Sequence, residues 1–143
     1  MTITNNYGIQ AENYFTSEMN RLGLNHEFIN SWYDFIVEGK MVEVKSCNLS
    51  VKQVKNWNNK KFTEYRTGRF DFTNKDNREL QSKNNIWICF ILRNNNDFMI
   101  LGFAKARQLK KKRYICVHRL QDIKIISFNE WVCKICKLNK KKK

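Results

Sequence analysis

Residues 32–47 read WYDFIVEGKMVEVKSC, and this stretch decides the fold. Apolar and polar residues alternate on both sides of Glu38-Gly39, which predicts two antiparallel strands joined by a two-residue hairpin turn. In the register set by that turn, Asp34 falls directly opposite Glu43. The hairpin therefore brings two acidic side chains together.

Side chains alternate between the two faces of a strand, so the hairpin should have one polar and one apolar face. The predicted polar face carries Trp32, Asp34, Ile36, Met41, Glu43 and Lys45. The predicted apolar face carries Phe35, Val37, Val42 and Val44. We expect the apolar face to pack on the core and the polar face to carry the chemistry.

The facing carboxylates predict a metal site. Two ionised carboxylates about 5 Å apart repel by roughly 3 kcal/mol at an effective dielectric near 20. Mg²⁺, for which Mn²⁺ can substitute, prefers carboxylate, carbonyl and water oxygens. We expect Asp34 and Glu43 to hold the ion and the carbonyl of Val44 to complete its shell. Lys45 would then orient or deprotonate the attacking water in metal-assisted hydrolysis.

The rest of the chain predicts further helices and strands. Apolar spacing predicts a first helix over residues 7–22, ended by Gly23, and a short helix over residues 77–83. Strands are predicted over residues 26–30, 32–37, 41–47, 86–92, 98–103, 114–118 and 123–126. Residues 48–67 are interpreted as a helix-containing or mobile excursion, and residues 104–112 as a basic helix. Ser127 and Glu130 form a capping box that opens a last helix.

This order predicts an α/β fold with a mixed central sheet flanked by helices. An αβββαβ core would carry C-terminal strand and helix additions. We expect residues 1–138 to form a single domain and residues 139–143 a basic tail.

Tyr33-Asp34 and, eight residues on, Glu43-Val44-Lys45-Ser46 resemble the D…ExK core of the PD-(D/E)xK nuclease superfamily. Tyr33 stands where the pattern has proline. The resemblance implies a restriction-endonuclease-like core with the metal and catalytic roles given above. Ala11-Glu12 is similar to the first-helix segment of Holliday junction resolvase-like members, which implies a catalytic role for Glu12. The Gly68-Arg69-Phe70 segment resembles one that follows ExK in archaeal and phage members.

The charge of the chain predicts DNA as its partner. The net charge is +14, and such a surplus attracts polyanions through counterion release. Cations alternate with Trp57, Phe62 and Tyr65 in one segment, which favours contacts to nucleic acid. The candidate DNA-binding residues are Lys52, Lys55, Lys60, Lys61, Arg66 and Arg69. Two alternatives remain: a loop whose aromatic residues pack inward, and a lysine surplus that reflects AT-rich coding drift.

The five cysteines are an odd number, which favours reduced thiols over a disulfide framework. Cys116, His118, Cys133 and Cys136 could supply a structural zinc site, although the same spacing suits plain packing. No stretch approaches the length of a membrane span, and no secretory signal is visible. We therefore expect an intracellular, cytoplasmic protein.

These observations predict a metal-dependent DNA endonuclease that hydrolyses phosphodiester bonds, acting on junctions or on specific duplex sites. A homing-type endonuclease of the same superfamily and a non-catalytic basic DNA-binding module are the alternatives. Because junction and duplex cutters need two active sites, a homodimer or higher homo-oligomer is expected.

Overall fold

The computed structural model describes residues 6–95 and 97–140 and contains three α-helices and nine strands within them. The helices are α1 (Asn6–Arg21), α2 (Lys75–Lys83) and α3 (Phe128–Lys140). The strands are β1 (His26–Phe28), β2 (Phe35–Val37), β3 (Lys40–Asn48), β4 (Ser50–Trp57), β5 (Lys60–Thr67), β6 (Arg69–Asp71), β7 (Trp87–Asn94), β8 (Asp97–Lys105) and β9 (Tyr114–Cys116). None of the helices described is long and apolar enough to cross a membrane.

Five strands form a mixed sheet in the order β1-β2-β3-β7-β8. β3 pairs antiparallel with β2 and parallel with β7, and β8 returns antiparallel beside β7. A parallel pair needs a crossover connection, and α2 lies within the one that joins β3 to β7. The predicted α/β class with a mixed sheet flanked by helices is confirmed.

Two apolar clusters cover the two faces of the sheet. On one face, α1 and α3 contribute Phe15 and Trp131, and the Trp131 ring stacks on Phe103 with centroids 3.9 Å apart. On the other face, Phe70 of β6 and Ile115 of β9 form a second cluster with Leu109 and Leu120, which belong to two 3-10 turns, Ala106–Leu109 and Val117–Asp122. β7 is buried on both faces, which explains why its sequence is a continuous apolar run.

The central hairpin has the predicted register. Phe35 pairs with Val42 and Val37 with Lys40. The turn residues Glu38 and Gly39 have φ values of +48° and +79°, as a two-residue hairpin turn with both central residues left-handed requires. The side chains of Phe35, Val37 and Val42 lie in the cluster beneath α1 and α3, with Val44 packed against it, so the apolar face is also as predicted.

The two strands that precede the Glu38-Gly39 turn, β1 and β2, are shorter than predicted. The predicted strand over residues 32–37 begins only at Phe35, and that over residues 26–30 ends at Phe28. Asn30 has a φ of +54°, and the Ser31 N–H donates to the carbonyl of Tyr33 at 3.0 Å. This local turn interrupts the extended chain and leaves Tyr33 in a bend.

The part of the interpretation that placed a helix within residues 48–67 was wrong, because the described residues there form strands. β4 and β5 form a two-stranded antiparallel ribbon. Its turn is Asn58-Asn59, with φ values of +49° and +63°. Asparagine tolerates the left-handed region better than most residues, so this dipeptide was the hairpin signal that the sequence prediction missed.

Three predictions for the C-terminal part need correction. β8 continues to Lys105, and only a 3-10 turn over Ala106–Leu109 replaces the predicted helix over residues 104–112. The strand predicted over residues 114–118 stops at Cys116, where a second 3-10 turn, Val117–Asp122, begins.

The strand predicted over residues 123–126 is reduced to a single bridge between Phe103 and Ile126. α3 begins as predicted, because the Glu130 N–H donates to the Ser127 hydroxyl at 3.1 Å. It extends to Lys140, past the predicted domain boundary at residue 138. Residues 141–143 of the predicted tail lie outside the described residues.

Gly68 lies where the chain returns from β5, and we expect Gly68→Ala to destabilise the fold. An added Cβ would meet the carbonyl oxygen of Asn48 at 1.7 Å, so backbone must move. We expect a loss of about 3 kcal/mol or more in the free energy of unfolding, measured by urea denaturation. Gly8→Ala is the control, because α1 leaves its Cβ without neighbours within 4 Å and helix propensity should make it neutral or stabilising. Equal effects of the two changes would contradict the crowding at Gly68.

Candidate active site

Asp34 immediately precedes β2 and is held by two hydrogen bonds to β3. Its N–H donates to the Val42 carbonyl at 3.1 Å, and its Oδ2 accepts from the Val44 N–H at 2.8 Å. Asp34 therefore lies between Val42 and Val44, opposite Glu43, as the hairpin register predicted. The Val44 bond uses one carboxylate oxygen and fixes its orientation.

Glu43 is a buried acid, with 8% of its surface exposed, and its carboxyl lies against that of Asp34. Burial, the hydrogen bond to Asp34 and the negative charge of Asp34 together raise the pKa of Glu43 to about 9, and Lys45 and Gln81 limit this rise. The raised pKa of Glu43 means that, without a cation, the Glu43 carboxyl is protonated at neutral pH and can donate a hydrogen bond to Asp34.

Lys45 lies beside this pair on the same strand. Its Nζ is 3.7 Å from Oε2 of Glu43 and 5.1 Å from the centre of the Phe72 ring. Phe72 is itself buried, and its carbonyl accepts from Nη1 of Arg78 at 2.7 Å. The ammonium group is therefore held over an apolar ring, next to one carboxyl oxygen of the acidic pair.

Glu12 of α1 is close enough to Asp34 for their charges to interact. Partial burial raises the pKa of Glu12, and the negative charge of Asp34 raises it further. Nevertheless, within residues 6–95 and 97–140 no three His, Cys, Asp or Glu side chains form a group that could hold a metal ion. The structure thus brings Asp34 and Glu43 together and places Glu12 near enough to Asp34 for their charges to interact, but not in one group of three metal-ligating side chains.

The remaining donor atom comes from the backbone of Val44. Within a strand the N–H and C=O of one residue point to the same side, and the Val44 N–H points at Asp34. The Val44 carbonyl therefore points to the same side of β3 as Asp34, just before the first residue of β2. Two carboxylates and one carbonyl, all hard oxygen donors, fit Mg²⁺, which keeps several waters as further ligands.

Gln81 of α2 is a site residue that the sequence prediction missed. Its Nε2 donates to Oε2 of Glu43 at 2.9 Å and to the Trp32 carbonyl at 2.7 Å, and it is buried. It is 38 residues from Glu43 in sequence, so no local pattern revealed the contact. A small depression here is lined by Glu43, Lys45, Phe72, Asn74, Asn77, Arg78 and Gln81.

We expect Gln81→Ala to reduce the free energy of unfolding by about 1 to 3 kcal/mol, because it removes the donor to the buried Glu43 carboxyl and to the part-buried Trp32 carbonyl. The pKa of Glu43 should also rise further, since Gln81 lowers it. Urea denaturation at pH 6 in EDTA measures the loss. Gln108→Ala is the control: Gln108 also makes two hydrogen bonds, both to the Lys124 backbone, but is exposed. If Gln81→Ala lowers the free energy of unfolding no more than Gln108→Ala does, the buried hydrogen bonds of Gln81 do not stabilise the fold as proposed.

The candidate DNA-binding residues lie mainly on the β4–β5 ribbon. Lys60 and Lys61 are exposed beside its turn, whereas the side chains of Lys52, Lys55 and Arg66 lie outside the described residues. Arg69 of β6 is exposed, and it contacts Asp71 at 3.2 Å and the Tyr114 ring at 4.6 Å.

The four candidate zinc ligands are not brought together. Cys116 ends β9 on one face of the sheet, whereas Cys136 of α3 packs in the cluster on the opposite face. Since the described part of the chain holds no group of three metal-ligating side chains, a zinc site from these four residues is not supported. Cys133 and Cys136 are one helical turn apart, so plain packing accounts for their spacing.

No protein-family model matches the sequence, no curated protein is significantly similar to it, and no solved structure is significantly similar to its fold.

Proposed function

We propose that this protein is a metal-dependent DNA endonuclease that hydrolyses phosphodiester bonds. The observation that carries the proposal is the contact between the carboxyls of Asp34 and Glu43, with the Lys45 ammonium 3.7 Å from Glu43. Like charges placed opposite each other on a sheet are unfavourable, so this arrangement calls for a cation or a proton between them.

The acidic pair can exchange its proton for a divalent cation. The pKa of Glu43 is raised to about 9, so at neutral pH it is protonated when nothing else neutralises the pair. Binding of Mg²⁺ or Mn²⁺ requires ionised carboxylates and therefore releases this proton. The affinity for the metal should increase with pH up to about 9.

The residues around the pair have distinct roles in the proposed reaction. A divalent ion, when bound, supplies the Lewis acidity that polarises a phosphodiester oxygen. Asp34 and Glu43 hold it, and the Val44 carbonyl is a third ligand. Lys45 would orient the attacking water as an ammonium, or accept the proton of the water after giving up its own. Glu12 is proposed as a further acid that acts from α1 on the Asp34 side of the site.

DNA is the proposed substrate because the chain carries a net charge of +14. Junction-resolving and site-specific duplex cleavage are both compatible with this site, as is a homing-type activity. Each cuts two strands, so we propose that the active form is a homodimer or higher homo-oligomer with two sites.

The test is a digest of supercoiled plasmid, linear duplex and four-way-junction DNA with Mg²⁺, with Mn²⁺ and with EDTA. We expect cleavage of at least one substrate with either metal and none in EDTA. Mapping the product ends then separates symmetric junction cuts from site-specific duplex cuts. Absence of cleavage on all three substrates with both metals would overturn the proposal.

A non-catalytic basic DNA-binding module is the second candidate, and the raised pKa of Glu43 favours it. A protonated Glu43 bonded to Asp34 is stable without a metal, so the pair is tolerable as a purely structural contact. This candidate predicts DNA binding that weakens steeply with salt. It also predicts that metal has no effect and that Asp34→Ala leaves the affinity unchanged.

A further inference from the structure

The segment that follows the acidic strand forms a two-stranded arm, which we call the basic ribbon: β4, the Asn58-Asn59 turn and β5, residues 50–67. The two strands pair with each other along their whole length, from Ser50↔Thr67 to Trp57↔Lys60. Within the described residues, neither strand pairs with another, and neither packs extensively on another element. The ribbon thus stands apart from the sheet.

The root of the ribbon is anchored to the body. The Gly68 N–H donates to the Leu49 carbonyl at 3.1 Å, and the Leu49 N–H donates to the Arg93 carbonyl at 3.0 Å. The Gly68 carbonyl accepts from the Val117 N–H, also at 3.0 Å. These bonds tie both ends of the ribbon to β7 and to the end of β9, so its direction is fixed at the root.

The composition of the ribbon is what an anionic partner requires. Its sequence holds five cations, Lys52, Lys55, Lys60, Lys61 and Arg66, against the single acid Glu64. Near the middle of β4, Val54 is 62% exposed. A two-stranded ribbon alone in water is marginally stable, so burial against a partner would stabilise this one.

The register distributes the cations over both faces. Because successive positions alternate along paired strands, the backbone positions of Lys55, Lys60 and Arg66 belong to one face of the ribbon and those of Lys52 and Lys61 to the other. A ribbon on a flat surface would need cations on one face only. An element that lies in a groove has phosphates on both flanks, and cations on both faces match that environment.

We propose that the basic ribbon enters the major groove of duplex DNA and holds the duplex against the acidic site; this rests on the proposed function for its substrate. Eight residues per strand give a length of about 26 Å. The major groove of B-DNA is about 12 Å wide and admits a two-stranded ribbon, whereas the minor groove, about 6 Å wide, does not.

The ribbon is also close enough to the site to act on the same duplex. β3 leads from Glu43 to the root, and the seven residues from Glu43 to Ser50 span at most about 23 Å. That distance corresponds to about seven base pairs along the duplex axis. The root of the ribbon can therefore contact the duplex within about one helical turn of the scissile phosphate.

A second copy of the chain is the competing partner for the ribbon. The charge of the ribbon disfavours this pairing. Two ribbons, each with five cations and one acid, would repel each other on pairing edge to edge. Duplex DNA is instead complementary to the ribbon in charge and in width.

The test compares three variants in duplex binding at several salt concentrations, measured in EDTA so that cleavage does not interfere. The first replaces residues 50–67 with Asn-Gly, because a two-residue link keeps the Gly68 to Leu49 hydrogen bond. The second changes four ribbon lysines to serine. The third, the matched control, makes the same change at four exposed cations outside the ribbon. The ribbon set is Lys52, Lys55, Lys60 and Lys61, and the control set is Lys110, Lys111, Lys112 and Arg113.

We expect both ribbon variants to bind duplex at least about 30-fold more weakly. The slope of log affinity against log salt should become shallower by about 3.6 in the serine variant and by about 4.5 in the deletion, which removes five cations. The control should lose much less. In dimethyl sulfate footprinting, the wild-type protein should protect guanine N7, which lies in the major groove, and the ribbon-deleted protein should not. Protection that survives deletion of the ribbon, or a control that loses as much affinity as the ribbon variants, would overturn the proposal.

Two further outcomes separate the ribbon from its alternatives. Unchanged DNA affinity together with loss of a dimer in analytical ultracentrifugation would assign the ribbon to self-association and overturn the proposal. Ribbon-dependent binding and N7 protection by a protein that never cleaves would refute the nuclease but support the ribbon. Metal-dependent cleavage that is unaffected by deleting the ribbon would support the nuclease and overturn the ribbon proposal.

Discussion

Glu43→Gln should abolish DNA cleavage while leaving duplex binding intact. The change keeps the size of the side chain but removes the negative charge that would help hold a divalent ion. If the ion contributes about 4 kcal/mol to transition-state stabilisation, its loss lowers the cleavage rate by about 10³-fold. The rate is measured on whichever DNA substrate the wild-type protein cuts, at saturating Mg²⁺, and binding is measured in EDTA.

Glu27→Gln is the matched control for this experiment. Glu27 lies on β1 of the same sheet, has the same side chain and is exposed, away from the acidic pair. We expect it to cleave at the wild-type rate. A Glu43→Gln protein that keeps its activity within tenfold of the Glu27→Gln protein would contradict the assignment of Glu43 as a metal ligand.

The second large effect is expected on stability as a function of pH. The pKa of Glu43 is about 9 in the folded protein and near 4.5 when unfolded, because burial and Asp34 disfavour its ionised form. Between these values the folded state binds more protons, so the stability contributed by Glu43 is full below pH 4.5 and is lost as pH rises toward 9. The maximal slope from one such group is about 1.4 kcal/mol per pH unit.

Urea denaturation in EDTA at pH 6 and pH 8 measures this effect, with Glu43→Gln as the comparison. The glutamine variant should be more stable than the wild-type protein at pH 8 and should lose less stability between the two pH values. Adding Mg²⁺ at pH 8 should stabilise the wild-type protein, since the ion binds the folded state, and should leave the variant unchanged. Parallel pH profiles for the two proteins would show that Glu43 is not buried against Asp34.

Local rules predicted the part of the fold that carries the site. The Glu38-Gly39 turn and the alternation of apolar residues determine the register of β2 and β3, so the approach of Asp34 to Glu43 followed from sequence alone. The continuous apolar run around Ile88 likewise indicated a strand buried on both faces.

What local rules missed depends on turns and on distant contacts. The Asn58-Asn59 turn was overlooked because the cations and aromatic residues around it obscure the alternation expected of strands. Gln81 was overlooked because only the packing of α2 beside β3 brings it to Glu43. Ile126 was predicted to lie in a strand, yet tertiary context leaves it only a single bridge to Phe103. Intrinsic strand preference cannot decide whether a neighbouring edge is available.

The most direct test of the acidic pair as a metal site is a Mn²⁺ titration of the wild-type protein near pH 7.5 by calorimetry in two buffers of different ionisation enthalpy. We predict one saturable site per chain, competed by Mg²⁺, with release of about one proton as Glu43 ionises. The site should be lost in Asp34→Asn and in Glu43→Gln. Absence of saturable binding to the wild-type protein, or binding that both variants retain, would contradict the account.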